Sequence, residues 1–430
     1  MPLHSDALEE STLNGGAYLA ARYGLGVLVS VGNMLVMTRW IGPHSYGLFV
    51  TAVGMVAFLA NVARGGIDTY LVRREADPDQ DVYGVAVTLI VVIASGLALA
   101  GGAATPLLAH WYKSREFALP YLVLLLTVPV TALTGVFMAK LERKLDFGKV
   151  AAIELGGQVL GFLVSAVLAW SRLGVWAPVA GQFTWQVYVL IAACSSAKIF
   201  PRPRFDVEQM REMFLYGIGL TASLRTWQLR TLINPLLVGR FCGTEAVAFV
   251  ALAVRIAEAL GTIRLAAGRM AIAALSRLQN RREQFHKTLE HALYLQVVSL
   301  GPLLAGFGLL GPFLVRHVMG ARWMPALTVY PFVAAGVLIN SVYNLQAAAL
   351  FVMGRQWLVM RSYTAHVLLL GAGTLLLVPH VGIRGYGWSE LLACGAYLPL
   401  HAGLTPRVTI SYRRLTPWVV AFLAILFVPV

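Results

Sequence analysis

The chain has 430 residues, 58% hydrophobic and 13% charged, with a formal net charge of +14 and a mean hydropathy of +0.72. A soluble domain averages about 25% charged residues. This composition excludes an ordinary soluble enzyme, and the three cysteines, Cys194, Cys242 and Cys394, are too scattered for a disulfide or zinc framework.

The N-terminal segment 1–14 holds Asp6, Glu9 and Glu10 and no Lys or Arg. A cleavable signal peptide needs a basic n-region, so the first apolar helix is expected to stay in the protein. Apolar runs of spanning length then follow from end to end: 15–37, 46–66, 83–109, 118–139, 150–170, 174–195, 214–238, 246–267, 292–315, 325–350, 357–378 and 386–403. They predict an all-α polytopic membrane protein of about twelve transmembrane helices. Gly42-Pro43 marks a turn after the first span, with Trp40 and Tyr46 at the interface. Pro106 and Pro129 are expected kink sites. Asp77 and Asp79 form a DxD pair, but no nucleotide-binding fold surrounds them, and a solvated loop is expected. The basic loop 140–149 reads as a topology anchor against headgroups. Segment 268–291 reads as an amphipathic surface helix, and 405–430 as a short C-terminal piece that can belong to a further span.

Lys and Arg concentrate in alternate loops: 67–82, 140–149, 196–213, 268–291, 354–361 and 404–414. The positive-inside rule makes these cytoplasmic and puts the N-terminus inside. The net charge is therefore a topology signal rather than a nucleic-acid footprint. The proline-rich basic loop 197–213 separates two halves, a six-helix bundle at 15–196 and another at 214–404. Arg39 to Gly42 aligns with Arg240 to Gly243 at a shift of 201 residues, a weak internal repeat of the kind transporters bind substrate between.

Inside the spans lie Arg22, Arg64, Arg225, Arg230, Arg255 and Arg264. Arg225 is about twelve residues into its helix, roughly 18 Å deep at 1.5 Å per residue. A lipid-facing arginine at mid-membrane costs about 2.5–3.5 kcal/mol, so such arginines should face protein, water or an anion. Guanidinium groups match phosphate oxygens in a fork. These six are the candidate substrate-binding residues of a cationic cavity; the alternative for Arg22, Arg64 and Arg264 is snorkelling to the interface. Glu154, Glu258 and Glu390 are candidate coupling or ion-pair carboxylates, with Arg255 and Glu258 three apart as a potential buried pair. No catalytic, metal or cofactor motif is present in the sequence.

Arg39, Gly42, Pro43, Tyr46, Gly47, Leu48 and Phe49 after the first span resemble a turn of the polysaccharide transporters in the multidrug/oligosaccharidyl-lipid/polysaccharide (MOP) superfamily. The stretches Leu141 to Phe147 and Ala274 to Gln279 are similar to that family's cytoplasmic loops. The likeness runs over roughly 12–405 and is nearest to the Wzx-type O-antigen and exopolysaccharide flippases. It implies two pseudo-symmetric six-helix bundles around a central cavity in the bacterial inner membrane. It also implies alternating access and an undecaprenyl-pyrophosphate-linked glycan as substrate. Expected partners are membrane lipids, H+ or Na+, and other polysaccharide-assembly membrane proteins. Alternatives are a lipid II-type flippase, a cation-coupled multidrug exporter and, less so, a membrane polymerase or ligase.

Overall fold

The computed structural model describes residues 24–199, 201–279, 281–406, 408 and 410–428; the side chains of 218–225, 263, 265, 266 and 269 lie outside that description. Arg22 and the segment 1–14 fall outside the described residues. The chain divides into two compact units, Met1–Arg225 and Thr226–Val430. All regular structure among the described residues is helical. Seven of these helices are long and apolar enough to cross a membrane, namely Gly42–Arg64, Gln80–Ala103, Ala118–Arg143, Phe147–Trp170, Arg282–Met319, Tyr330–Val352 and Gln356–Val381.

The first unit contains α1 (Gly24–Trp40), α2 (Gly42–Arg64), α3 (Ile67–Arg73), α4 (Gln80–Ala103), α5 (Thr105–Tyr112), α6 (Ala118–Leu125), α7 (Thr127–Arg143), α8 (Phe147–Trp170), α9 (Trp176–Ala197) and most of α10 (Val207–Gln228). Local chemistry sets the boundaries. Gly42 (φ 75°) and Pro43 open α2, and Gly65 and Gly66 (φ 61° and 80°) break the chain before α3. The Asp79 carboxylate accepts the Val82 N–H at 2.9 Å and caps α4. Pro106 sits in the first turn of α5, just past the break at Ala104. Near Pro129, where the backbone lacks a donor, the Thr127 hydroxyl donates to the Leu124 carbonyl at 2.7 Å.

Arg143 closes the α2–α3 end of this unit. Its guanidinium donates to the carbonyls of Leu71, Val72, Arg74, Glu75 and Ala76, and its Nε to Asp77 Oδ1 at 3.0 Å. Leu71 and Val72 are in the last turn of α3, whose carbonyls a helix end leaves without partners, and the other three lie just beyond it. The DxD carboxylates thus have structural work: Asp79 caps a helix and Asp77 meets Arg143.

Small residues let α8 and α9 pack closely. A Cβ added at Gly161 would lie 2.8 Å from the Gly181 carbonyl oxygen. The outward surface stays apolar, with Leu99 75%, Val167 64% and Trp170 78% exposed. In water such a face would be an aggregation hazard, whereas in lipid it is the expected exterior.

The second unit contains the end of α10, then α11 (Arg230–Ile233), a π-helical turn (Asn234–Val238), α12 (Gly239–Cys242), α13 (Thr244–Leu260), α14 (Ile263–Arg277), α15 (Arg282–Leu314), α16 (Tyr330–Val352), α17 (Gln356–Val381), α18 (Ile383–Cys394), α19 (Leu398–Leu404) and α20 (Thr416–Leu426). Helix α16 is the buried centre, packed by α13, α14, α15, α17 and α18. Gln296 of α15 donates to the Ser341 carbonyl of α16 at 2.8 Å.

Two expectations change here. The predicted span 246–267 ends at Leu260, and Gly261-Thr262 break the chain before α14. The predicted surface helix 268–291 does not exist as one element. Its first part is α14, and its last part is the start of α15, which runs unbroken for 33 residues into the apolar span. The reason is a continuous buried stripe, Phe285, Leu289, Leu293, Gln296, Val297 and Leu300, at helical spacing and without a proline before Pro302. Hydropathy drops at Arg281 and Arg282; the period of the buried face does not. The C-terminal piece is the 11-residue α20, packed on α15, where Phe422 lies over Gly301.

Candidate functional site: two charged clusters

In the first unit a cavity of about 340 Å³ lies among α2, α3, α7, α8 and α9. Arg64, at the last position of α2, lines it together with Asp68 and Glu154, all three partly buried. Arg73 and Glu142 line its exposed edge. Asp68 Oδ1 accepts the Thr69 N–H at 2.8 Å. The Arg64 Nε is buried and has no hydrogen-bond partner among the described residues. Trp185 and Gln186 of α9 complete the wall. Two sequence candidates, Arg64 and Glu154, therefore meet in one cavity.

In the second unit the charges form an ordered network. Arg230 Nη2 donates to Glu390 Oε1 at 2.6 Å, and Tyr386 donates its hydroxyl to the same oxygen at 2.9 Å. Glu390 is 3% exposed at its side chain and Arg230 18%. Glu258 stands 3.8 Å from Arg230 on the other side. The guanidinium also sits 5.5 Å from the centre of the Trp227 ring. Around them, Trp227 packs on Tyr363 and His366, and His366 stacks on Tyr397.

Arg264 lies at the start of α14, partly buried. Its Nη1 donates to Asn340 Oδ1 at 2.9 Å, and Asn340 donates to the Tyr397 hydroxyl at 2.7 Å. No carboxylate pairs with Arg264 among the described residues. Arg255 and Glu258 are both exposed, so a buried pair between them is not what forms. The buried residues of α13 include Ala248, Ala251, Leu252, Ile256 and Ala257, leaving 255 and 258 off that face. The backbone of Arg225 lies in α10; its side chain is outside the described residues.

Sequence reasoning missed Trp227, Tyr386, Asn340 and Tyr397. Two of these carried a signal: Trp227 is three residues before Arg230, and Tyr386 is four before Glu390, both on shared helical faces. Asn340 and Tyr397 reach the cluster from distant helices, and no local pattern marks them.

The sequence matches the family described as "Polysaccharide biosynthesis protein" over residues 36–328. It is similar to the teichuronic acid biosynthesis protein TuaB of Bacillus subtilis, 25% identical over 66% of this chain and 59% of that protein. It is also similar to the succinoglycan biosynthesis transport protein ExoT of Rhizobium meliloti, 22% identical over 70% of this chain and 60% of that protein. The chain thus spans about three fifths of the length of these two relatives. A putative O-antigen transporter of Shigella flexneri is 20% identical over 87% of this chain and 94% of that protein. Among solved structures, lipid II flippase MurJ in an inward closed conformation superposes with a TM-score of 0.80 at 12% identity, covering 96% of this chain and 92% of that one. An inward-facing multidrug resistance MATE family transporter of the MOP superfamily gives 0.65 at 14% identity, over 92% and 94%. The fold is that of these transporters, and with the match over 36–328 the chain belongs to the polysaccharide biosynthesis protein family of polytopic membrane proteins.

Proposed function

We propose that the chain is a carrier rather than an enzyme, moving an undecaprenyl-pyrophosphate-linked oligosaccharide across the bacterial inner membrane by alternating access. Its relatives include a succinoglycan biosynthesis transport protein and a putative O-antigen transporter, which support that reading. The observation that carries it is Arg264. This partly buried guanidinium is oriented by an amide and a phenol, with no carboxylate pairing it among the described residues. Its side-chain hydrogen-bond partner is a neutral amide, and its fork fits phosphate oxygens.

Arg22, Arg225 and Arg255 are proposed to share headgroup capture with Arg264, whereas Arg64 faces a cavity that also holds Asp68, Glu142 and Glu154. Arg230 already has its charge balanced by Glu390, so it meets substrate only when that pair opens. Glu390, Glu258 and Glu154 are then the coupling carboxylates, with H+ or Na+ as the driving ion. The finer architecture belongs to the same reading: twelve spans in two pseudo-symmetric bundles around a cationic cavity, with the N-terminus cytoplasmic. One parallel supports the repeat. In each unit a long helix stops at a glycine-containing break, Gly65-Gly66 or Gly261-Thr262, with an arginine within three residues and a second helix beyond.

The experiment is reconstitution in liposomes carrying a fluorescent undecaprenyl-pyrophosphate oligosaccharide in both leaflets, read with a membrane-impermeant quencher. Protein-dependent exchange between leaflets is expected. Arg264→Ala should slow it by about tenfold or more, the equivalent of losing 1.4 kcal/mol of binding to the charged group. Absence of exchange by the wild-type protein, with ion gradients of either sign imposed, would reject the reading.

A further inference from the structure

We propose that the cavity of the first unit is a glycan subsite that favours neutral or basic sugars over acidic ones. The assignment deepens the transport reading and rests on it for where the sugar comes from.

The cavity is the wrong shape of charge for a pyrophosphate. Its lining brings three carboxylates, Asp68, Glu142 and Glu154, against two guanidinium groups, Arg64 and Arg73. A multivalent anion placed there would be repelled by more groups than attract it. A polyol meets no such conflict. Each sugar hydroxyl both donates and accepts, so carboxylates, guanidinium N–H groups and the Gln186 amide can all find partners on one ring.

Trp185 supplies the remaining feature of a sugar site. Its indole packs against Gly157, where an added Cβ would come within 2.7 Å of Cδ1, so a glycine gives the ring its place. The ring also lines the cavity, presenting an apolar plate among polar groups. The C–H face of a pyranose fits such a plate while its equatorial hydroxyls reach the charged wall. The volume, about 340 Å³, is at the low end of the ~300–1,000 Å³ typical of small-molecule pockets. It suits a short part of a glycan rather than a whole repeat unit. The carboxylates set selectivity by repulsion: a uronic acid brings a further negative charge against them.

The experiment uses the full chain in nanodiscs, with ligand-observed saturation-transfer NMR on three soluble probes: maltotriose, chitosan trisaccharide and trigalacturonic acid. Signal is expected for maltotriose and chitosan trisaccharide and not for trigalacturonic acid. Trp185→Ala should abolish the maltotriose signal. Because that ring also packs on α8, Gln186→Ala serves as a second variant with less packing to lose, and thermal melting checks that each remains folded. Glu154→Gln with Asp68→Asn should let trigalacturonic acid bind. Inorganic pyrophosphate should not displace maltotriose. If folded wild type binds none of the sugars, or binds all three alike in wild type and variants, the subsite falls. If pyrophosphate displaces maltotriose, the cavity is an anion site instead. A liposome arm separates this from the transport reading: sugar binding without any lipid exchange would remove the transport reading and leave the subsite. Exchange without sugar binding would do the reverse.

Discussion

At the residue scale the most constrained group is Arg230, held between Glu390, Glu258 and the Trp227 ring. Breaking a buried ion pair from one side leaves an uncompensated charge and typically costs about 3–5 kcal/mol, whereas replacing both partners with apolar groups is often neutral. Glu390→Met is therefore expected to lower the melting temperature in detergent clearly, Arg230→Met likewise, and Arg230→Met with Glu390→Met to recover most of the loss. A double-mutant cycle on thermal unfolding reads this directly; additive effects would mean that the two side chains do not stabilise one another. The sequence marked both residues as candidates because charges inside spans are rare. It could not join them: they are 160 positions apart, and the packing of α17 on α11, with α18 on α17 and on the π-helical turn, brings them together. The i,i+3 relation of Arg255 and Glu258 was the visible pairing, whereas the approach of Glu258 to within 3.8 Å of Arg230 was not.

At the element scale, glycines decide which helices pass close to one another. Gly217 of α10 lies over the Gly65-Gly66 turn, where an added Cβ would run into the Gly65 carbonyl. Neither backbone can yield cheaply, so Gly217→Ala should destabilise the first unit, by about 1–3 kcal/mol as overpacking usually does. Gly96→Ala is the control, because nothing lies within 4 Å of its Cβ position. Equal melting temperatures for the two variants would contradict the close approach. The end of α2 at Arg64 lies close to the expected limit at 66, and the kink expected at Pro106 is a break at Ala104 that divides the expected span 83–109 into α4 and α5, while the capping role of Asp79 was not read from the sequence. Nor was the long α15, because hydropathy averages over charges, whereas the helix continues wherever one face stays apolar.

At the scale of the whole molecule, the class of protein was legible and the geometry of its site was not. Apolar runs, basic alternate loops and the turn at Arg39 to Phe49 are properties of neighbouring residues, and they led to the right family. The cavity around Arg64 draws on five helices, and a linear reading assigns no partner to an arginine in that position. Orientation in the membrane is open to a direct measurement. With the three native cysteines replaced, Asp206→Cys is expected to react with an impermeant maleimide in inside-out vesicles and not in right-side-out ones. Glu116→Cys, between α5 and α6, should show the opposite pattern. Reversed labelling would place the N-terminus outside.

Arg143 holds its segment by main-chain oxygens, from Leu71 to Ala76, and by one carboxylate. Because every residue type carries the same carbonyl, this clasp is blind to most of the side chains it secures. Positions 74 to 76 are then free to drift in sequence while the path of the chain is kept, and a library randomised there should retain expression and folding. One randomised at 143 alone should not. Variability at one end of the contact and intolerance at the other is the mutational signature of such a clasp. It shows how sequences that share few identities can still share a loop.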